Sequence, residues 1–214
     1  MRKRINRLNG GGRTLLMDTF TDADGATLPG HAADDGVIWA DGTTGSSSQG
    51  SIQSNRLTTI EAGSSAAHFL RGSRLRRRNG AAYMDLIRVS AADANTSQVQ
   101  LLLRHASRQQ GALIRWHMAF SYDTSSTGSV ARWRIIRNGG TVLSGATVNV
   151  VLTQDQVYRV KAEVRGSRFL LWIDGVLTIN VEDANPIKNF MGLRHQYSAA
   201  GEGCLRVDNW MATR

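Results

Sequence analysis

The stretch YRVKAEVRGSRFLLWIDGVLTINVED, Tyr158 to Asp183, decides the fold together with MGLRHQYSAAGEGCLRVDNW, Met191 to Trp210. In its first strand Tyr158, Val160, Ala162 and Val164 alternate with Arg159, Lys161 and Glu163. A period of two means a β-strand with one dry and one wet face. An Arg-Gly-Ser turn at Arg165 to Ser167 leads to a second strand, and Asp174-Gly175 leads to a third. Gly and Asp at such points are turn chemistry, so the region reads as successive hairpins. A last strand carries Asp208-Asn209-Trp210.

The same pattern extends toward the N-terminus. Short strands are expected at 14–20, 66–70, 81–89, 98–104, 112–122, 132–137 and 147–152. Further strands follow at 158–164, 168–173, 177–180, 191–196 and 205–211. Asn79-Gly80, Asn138-Gly139-Gly140 and Gly201-Glu202-Gly203 separate several of them. No helix is expected. The Gly-, Ser-, Thr- and Asp-rich segment 34–54 reads as a long surface loop anchored by Trp39. Many strands at regular spacing imply an all-β, two-sheet antiparallel jelly-roll sandwich. Its expected core holds Trp116, Phe120, Tyr158, Phe169, Trp172, Ile173, Phe190 and Leu193.

Two ends of this pattern resemble the concanavalin A-like jelly rolls, the lectin, glucanase and laminin-G group. At the front, DTFTDADGATLPGHAADDGVIW, Asp18 to Trp39, is similar to their opening: an aromatic strand end, an Asp-rich turn and a downstream Trp. At the back stand the hairpins and the terminal Asp-Asn-aromatic. The resemblance implies that the first and last strands pair, so Asp18-Thr19-Phe20 is expected beside Val207 to Trp210. Modules with this opening occur in bacteriophage virion proteins and in secreted sugar-binding proteins.

The 214 residues suffice for one such domain, expected at 14–214, after an arm at 1–13. The arm is basic, with Arg2, Lys3, Arg4 and Arg7 ahead of three glycines. No run reaches the roughly 18 apolar residues of a membrane span. No export signal is recognised, because Thr14 to Met17 is too short for one. Cys204 is the sole cysteine, which leaves no partner for an internal disulfide.

The formal charge is +9, almost all of it from arginine. Such an excess has two readings: a GC-rich genome that favours Arg codons over Lys, or an acidic partner, whether nucleic acid, anionic glycan or an acidic protein surface. Arg71, Arg74, Arg76, Arg77 and Arg78 form a second basic cluster, which reads as a solvated sheet edge or a docking patch. It lacks the interleaved aromatics of a single-strand platform, so specific nucleic-acid binding is not expected.

Catalytic patterns are wanting. The paired strand carboxylates that glycoside hydrolysis requires do not occur at strand spacing. Asp22, Asp24, Asp34 and Asp35 supply oxygens of the kind calcium takes, but Asx turns explain them without an ion. The histidines His31, His68, His105, His117 and His195 show no metal-ligand spacing. We expect no cofactor and no metal.

The expectation that follows is a non-enzymatic virion protein, capsid-decorating or tail-associated, made in the host cytoplasm. It would dock through Arg2, Lys3, Arg4, Arg7 and the Arg71 to Arg78 cluster onto neighbouring virion subunits and copies of itself. The alternative is a carbohydrate-binding, lectin-like module. Trp39, Tyr197 and Trp210 are then the candidate glycan contacts, although each also suits a loop anchor.

Overall fold

The computed structural model describes residues 14–28, 30–41, 50–59, 65–74, 79–89, 97–105, 118–123, 132–137, 141–183, 190–197 and 205–213. All regular elements among them are strands, in two antiparallel sheets.

The eight-stranded sheet runs β13 (Val176–Glu182), β12 (Arg168–Ile173), β11 (Val157–Arg165), β6 (Gly80–Arg88), β15 (Leu205–Thr213), β4 (Arg56–Thr59) and β3 (Gly50–Gln53). A further strand, β1 (Thr14–Asp18), also pairs with β15. The seven-stranded sheet runs β10 (Thr141–Asn149), β9 (Arg132–Arg137), β8 (Met118–Asp123), β7 (Ser97–His105), β14 (Phe190–Tyr197), β5 (Ser65–Arg74) and β2 (Trp39–Asp41).

The alternation read from the sequence sets the packing. On β11, Val160, Ala162 and Val164 are buried in the core between the sheets, while Arg159 and Arg165 lie in water. Their neighbours Ala82, Met84 and Leu86 of β6 and Phe169 and Leu171 of β12 fill the same layer. The other sheet contributes Val99, Leu101, Leu103, Trp133, Ile135 and Leu193. Burying each Val, Leu, Ile, Phe or Met side chain here is worth about 1.5–3 kcal/mol, so this layer is the main source of stability. Phe169 and Leu193 are buried as expected, and Tyr158 and Ile173 pack against the core part-buried. Trp172 sits instead on the outer face of β12, where the Lys161 ammonium approaches its ring at 5.5 Å and that of Tyr83 at 5.7 Å. Phe120 and Phe190 fall in β8 and β14, and Trp116 lies outside the described residues.

Strand β1 pairs with β15, with Asp18 opposite Trp210, as the resemblance implied. The hairpin turns are also where the sequence puts them. Asp174 and Gly175 both have positive φ, 49° and 82°, the signature of a type I′ turn. Segment 34–54 departs from the expected loop. It supplies β2, β3 and the entry to a hairpin with β4, turned by Ser54 and Asn55 at φ 52° and 57°. Strand β10 begins earlier than expected, and its register against β9 shifts between Val142 and Thr147.

Candidate functional site

Strand β7, SQVQLLLRH, places Val99, Leu101 and Leu103 in the core, so Gln98, Gln100 and Leu102 alternate onto the outer face. Register carries that face across the sheet. Gln100 stands opposite Ser121 of β8 and Arg194 of β14. Ser121 stands opposite Arg134, which in turn faces Thr147 of β10, while Arg194 faces Ala67 of β5. A parallel row joins Asn149, Arg132, Asp123, Gln98, Gln196 and Ser65. At about 4.8 Å per strand, each row spans roughly 24 Å. A third row, through Ile136, Ala119, Leu102 and Gly192, is apolar.

A polar outer face is ordinary for an antiparallel sheet. What sets this one apart is its burial. Gln98 is 8% exposed and Gln100 1%. The Gln100 Nε2 donates to Gln98 Oε1 at 2.8 Å, whereas Gln100 Oε1 accepts no hydrogen bond among the described residues. Turning the amide over leaves its nitrogen in the same position, so one polar atom of Gln100 remains unmatched either way. Leaving such a group buried costs about 1–3 kcal/mol, and these groups in native proteins concentrate where ligands or ordered waters complete them. Beside it, Arg134 is half-buried and Arg132 exposed. Ser121, Asp123, Arg194 and Gln196 are placed here by register.

A second polar cluster lies at the front of the chain. Asp18 is buried at the end of β1, where its carboxylate accepts from Trp39 Nε1 and from Phe20 N at 2.7 Å. The His31 ring bridges two carboxylates, with Nε2 3.2 Å from Asp18 Oδ1 and Nδ1 3.1 Å from Asp22 Oδ2. Burial pushes the Asp18 pKa up against the opposing pull of Trp39, Phe20 and His31. Asp22 is held below the ordinary range, first by the Ala23 amide and then by His31. The cluster ties the Asp-rich turn to β1 and β2. Its chemistry is that of a buried structural link.

Several expected site residues find other places. Trp39 and Trp210 are not surface platforms. They are 1% and 0% exposed and meet edge to face at 5.2 Å, with Phe20 against Trp39. The physical reason is that both stand on inward-facing positions where β1, β2 and β15 converge. Tyr197 ends β14. Arg71 and Arg74 fall in β5, while Arg2, Lys3, Arg4, Arg7, Arg76, Arg77 and Arg78 lie outside the described residues.

The acidic turn residues are occupied locally. Asp24 accepts from Ser54 N at 2.6 Å, Asp34 from Thr19 Oγ1 at 3.0 Å and Asp35 from Val37 N at 3.2 Å. Among the described residues no group of three or more His, Cys, Asp or Glu is placed to hold a metal ion.

The sequence reading missed Gln98, Gln100, Arg132 and Arg134. The alternation in Gln98-Val99-Gln100-Leu101 was their available signal.

No protein-family model and no curated protein matches the chain. Solved structures do. The carbohydrate-binding module CBM66 from Bacillus subtilis superposes with a TM-score of 0.59 at 14% identity, over 82% of this chain and 95% of that one. SCLam, a non-specific endo-β-1,3(4)-glucanase of family GH16, gives 0.61 at 9% identity, over 95% and 91%. Lectin II from Ulex europaeus gives 0.56 at 10% identity, over 83% and 92%. The chain has the concanavalin A-like jelly-roll fold. At these identities the likeness concerns the fold, which hosts binding modules and hydrolases alike.

Proposed function

We propose that the protein is a non-enzymatic carbohydrate-binding module, and that the polar face around Gln98, Gln100 and Arg134 receives the saccharide. The observation that carries this reading is the buried Gln100 amide with one polar atom unmatched. Sugar hydroxyls both donate and accept, and so match the mixed amide, hydroxyl and guanidinium chemistry of the rows. The fold shared with a carbohydrate-binding module and a lectin supports the same reading by analogy.

Binding is favoured over hydrolysis by the acid count of the face. Retaining and inverting glycosidases both need two carboxyl groups flanking the scissile bond. The two polar rows carry one acidic position among the described residues, Asp123. The virion reading drew on the sandwich fold, the family resemblance and a basic docking arm; of its docking residues only Arg71 and Arg74 fall among the described ones. None of the three solved structures named above is a virion protein.

The test is saturable binding of the full chain to immobilised glycans, repeated with Gln98→Ala and Arg134→Ala. Loss of binding in variants that keep a cooperative melting transition is the expected result, with Gln98→Ala melting lower because it takes the acceptor from Gln100 Nε2. Binding that survives both substitutions places the site elsewhere. Release of reducing ends from a bound glycan would make the protein a hydrolase.

A further inference from the structure

The edges of the two sheets are closed unequally. On one side of the sandwich, residues 25–28 and 30–32 run along both. Gly25 N donates to Ile52 O at 2.9 Å, Ile52 N to Ala26 O at 2.8 Å and Leu28 N to Gly50 O at 2.7 Å, which seals β3. Trp39 N donates to His31 O at 2.9 Å and Gly30 N to Trp39 O at 3.0 Å, which seals β2. On the other side, β13 ends the larger sheet. Among the described residues no backbone hydrogen bond of β13 reaches beyond its ladder with β12. Strand β10 lies against its inner side, where Gly145 comes close to Val181.

Open edges are usually blunted by lysine, proline or a covering segment, because unpaired N–H and C=O groups template a further strand. Strand β13 reads VLTINVE and has neither lysine nor proline. Its one charge, Glu182 at the far end, is held by Arg168 at 2.8 Å. A bulge opposite Leu171 and Trp172 leaves Ile179 to Glu182 in regular register. At the start of the strand, Val176 and Leu177 are 67% and 42% exposed, and Val176 is the most exposed large apolar side chain among the described residues. Leu177 stands opposite Trp172 and carries to the edge an outer row of Trp172, Lys161, Tyr83 and Met211.

We propose that β13 is an intermolecular edge, which pairs antiparallel with β13 of a second copy of the chain about a two-fold axis. A strand that meets itself in this way makes each backbone bond twice and covers Val176 and Leu177 of both copies. Charge favours this arrangement. At full overlap the two Glu182 carboxylates lie at opposite ends of the pair, about 20 Å apart at roughly 3.4 Å per residue. Parallel pairing would set them side by side, where like charges repel. The axis of an antiparallel pair is normal to the sheet, so the two larger sheets become one and both smaller sheets lie on its other side. On the sugar-binding reading above, both polar faces then look the same way and the dimer is bivalent. The dimer itself does not depend on that reading.

The experiment is sedimentation equilibrium of the full chain, without glycan, from about 1 to 100 μM, with hydrogen exchange followed by mass spectrometry over the same range. A monomer–dimer equilibrium is expected, with exchange of the Val176 to Glu182 amides slowing as the dimer forms. Val176→Asp and, separately, Leu177→Lys should each raise the dissociation constant about tenfold or more. Gln53→Asp, on the sealed edge of the same sheet, should leave it unchanged. Val176 is exposed in the single chain, so its variant has little folding energy to lose, and circular dichroism checks each variant. A monomer throughout the range would overturn the inference. A dimer that survives both substitutions, with exchange in β13 unchanged, places the interface elsewhere and overturns it too. Open-ended growth in place of a dimer rules out the two-fold axis. Protection of β13 in a persistent monomer by an unrelated extended peptide would give the edge to a foreign strand and overturn the second copy. None of these outcomes touches the sugar-binding reading, which the glycan experiment tests separately.

Discussion

The indole Nε1 of Trp39 donates to the buried carboxylate of Asp18, joining the first strand of one sheet to the edge strand of the other. The Phe20 amide and His31 complete the coordination of that carboxylate. Asp18→Ala strands several donors in an apolar layer beside Trp210, and is expected to cost about 3–5 kcal/mol in urea unfolding. Asp18→Asn keeps the shape and part of the bonding, and should cost less.

The two ends of this link titrate in opposite directions. Burial raises the Asp18 pKa above the ordinary 3.8, so its contribution is fully present below that value and declines as pH rises through the raised one. The Asp22 pKa is lowered, so its contribution is present above 3.8 and is lost as pH falls through the lowered value. Asp22→Asn should therefore flatten the most acid limb of the stability curve, and Asp18→Asn the limb above pH 3.8. Melting temperatures from pH 2 to 7 check both signs.

The burial of Trp39 and Trp210 bears on any mutational search for a sugar site. Trp210→Ala is expected to lose about 3–5 kcal/mol, because it opens a cavity beside Trp39 at the convergence of β1, β2 and β15. Loss of ligand binding in that variant would report unfolding. A denaturant curve shows whether Trp210→Ala is folded at all, and a variant as stable as the parent would contradict its place in the core.

Local patterns were legible in the sequence and long-range register was not. Strands β9 and β12 begin and end where alternation and turn residues put them, because each is bounded by Gly or Asn chemistry. The β3–β4 hairpin escaped because its strands have four residues each and its Ser54-Asn55 turn lacks the glycine that marks such turns. The inward faces of Trp39 and Trp210 depend on which strands meet across the sandwich, which alternation does not encode. Likewise Gln98, Arg132 and Gln196 are far apart in sequence and share a row only through pairing.

That same turn offers a stabilising change. Ser54 and Asn55 both hold positive φ, a conformation that costs L-residues energy and that Asn-Gly adopts readily. The Ser54 amide donates to Asp24, a bond that any residue other than proline preserves. Ser54→Asn combined with Asn55→Gly is expected to raise stability by about 0.5–1 kcal/mol. An unchanged or lower urea midpoint would mean that the flanking strands already impose the turn.

On the outer face of the larger sheet, Lys161 interacts with Tyr83, Trp172 and Glu163, the last at 3.0 Å. Burial raises the Glu163 pKa, but Arg165 and Lys161 outweigh it and hold the carboxyl below its ordinary 4.5. Its stabilising contribution is thus present above 4.5 and fades as pH falls through the lowered value. A double-mutant cycle of Lys161→Met and Trp172→Leu should give a coupling of about 0.5–1 kcal/mol. The ion pair screens in 1 M salt and the ring contact persists, so the coupling should survive salt.

Gln100 separates a ligand site from a structural amide. Gln100→Leu removes the unmatched buried atom, a gain of about 1–3 kcal/mol, and takes a donor from the buried Gln98 Oε1, a loss of about the same size. The variant should therefore be about as stable as the parent, yet bind saccharide weakly or not at all. Binding lost while stability is kept is the mark of a polar group retained for its ligand. If the variant is instead less stable by 2 kcal/mol or more, roughly the cost of breaking a satisfied buried network, Gln100 belongs to the architecture of the sheet. Calorimetric melting together with glycan titration on one preparation decides between them.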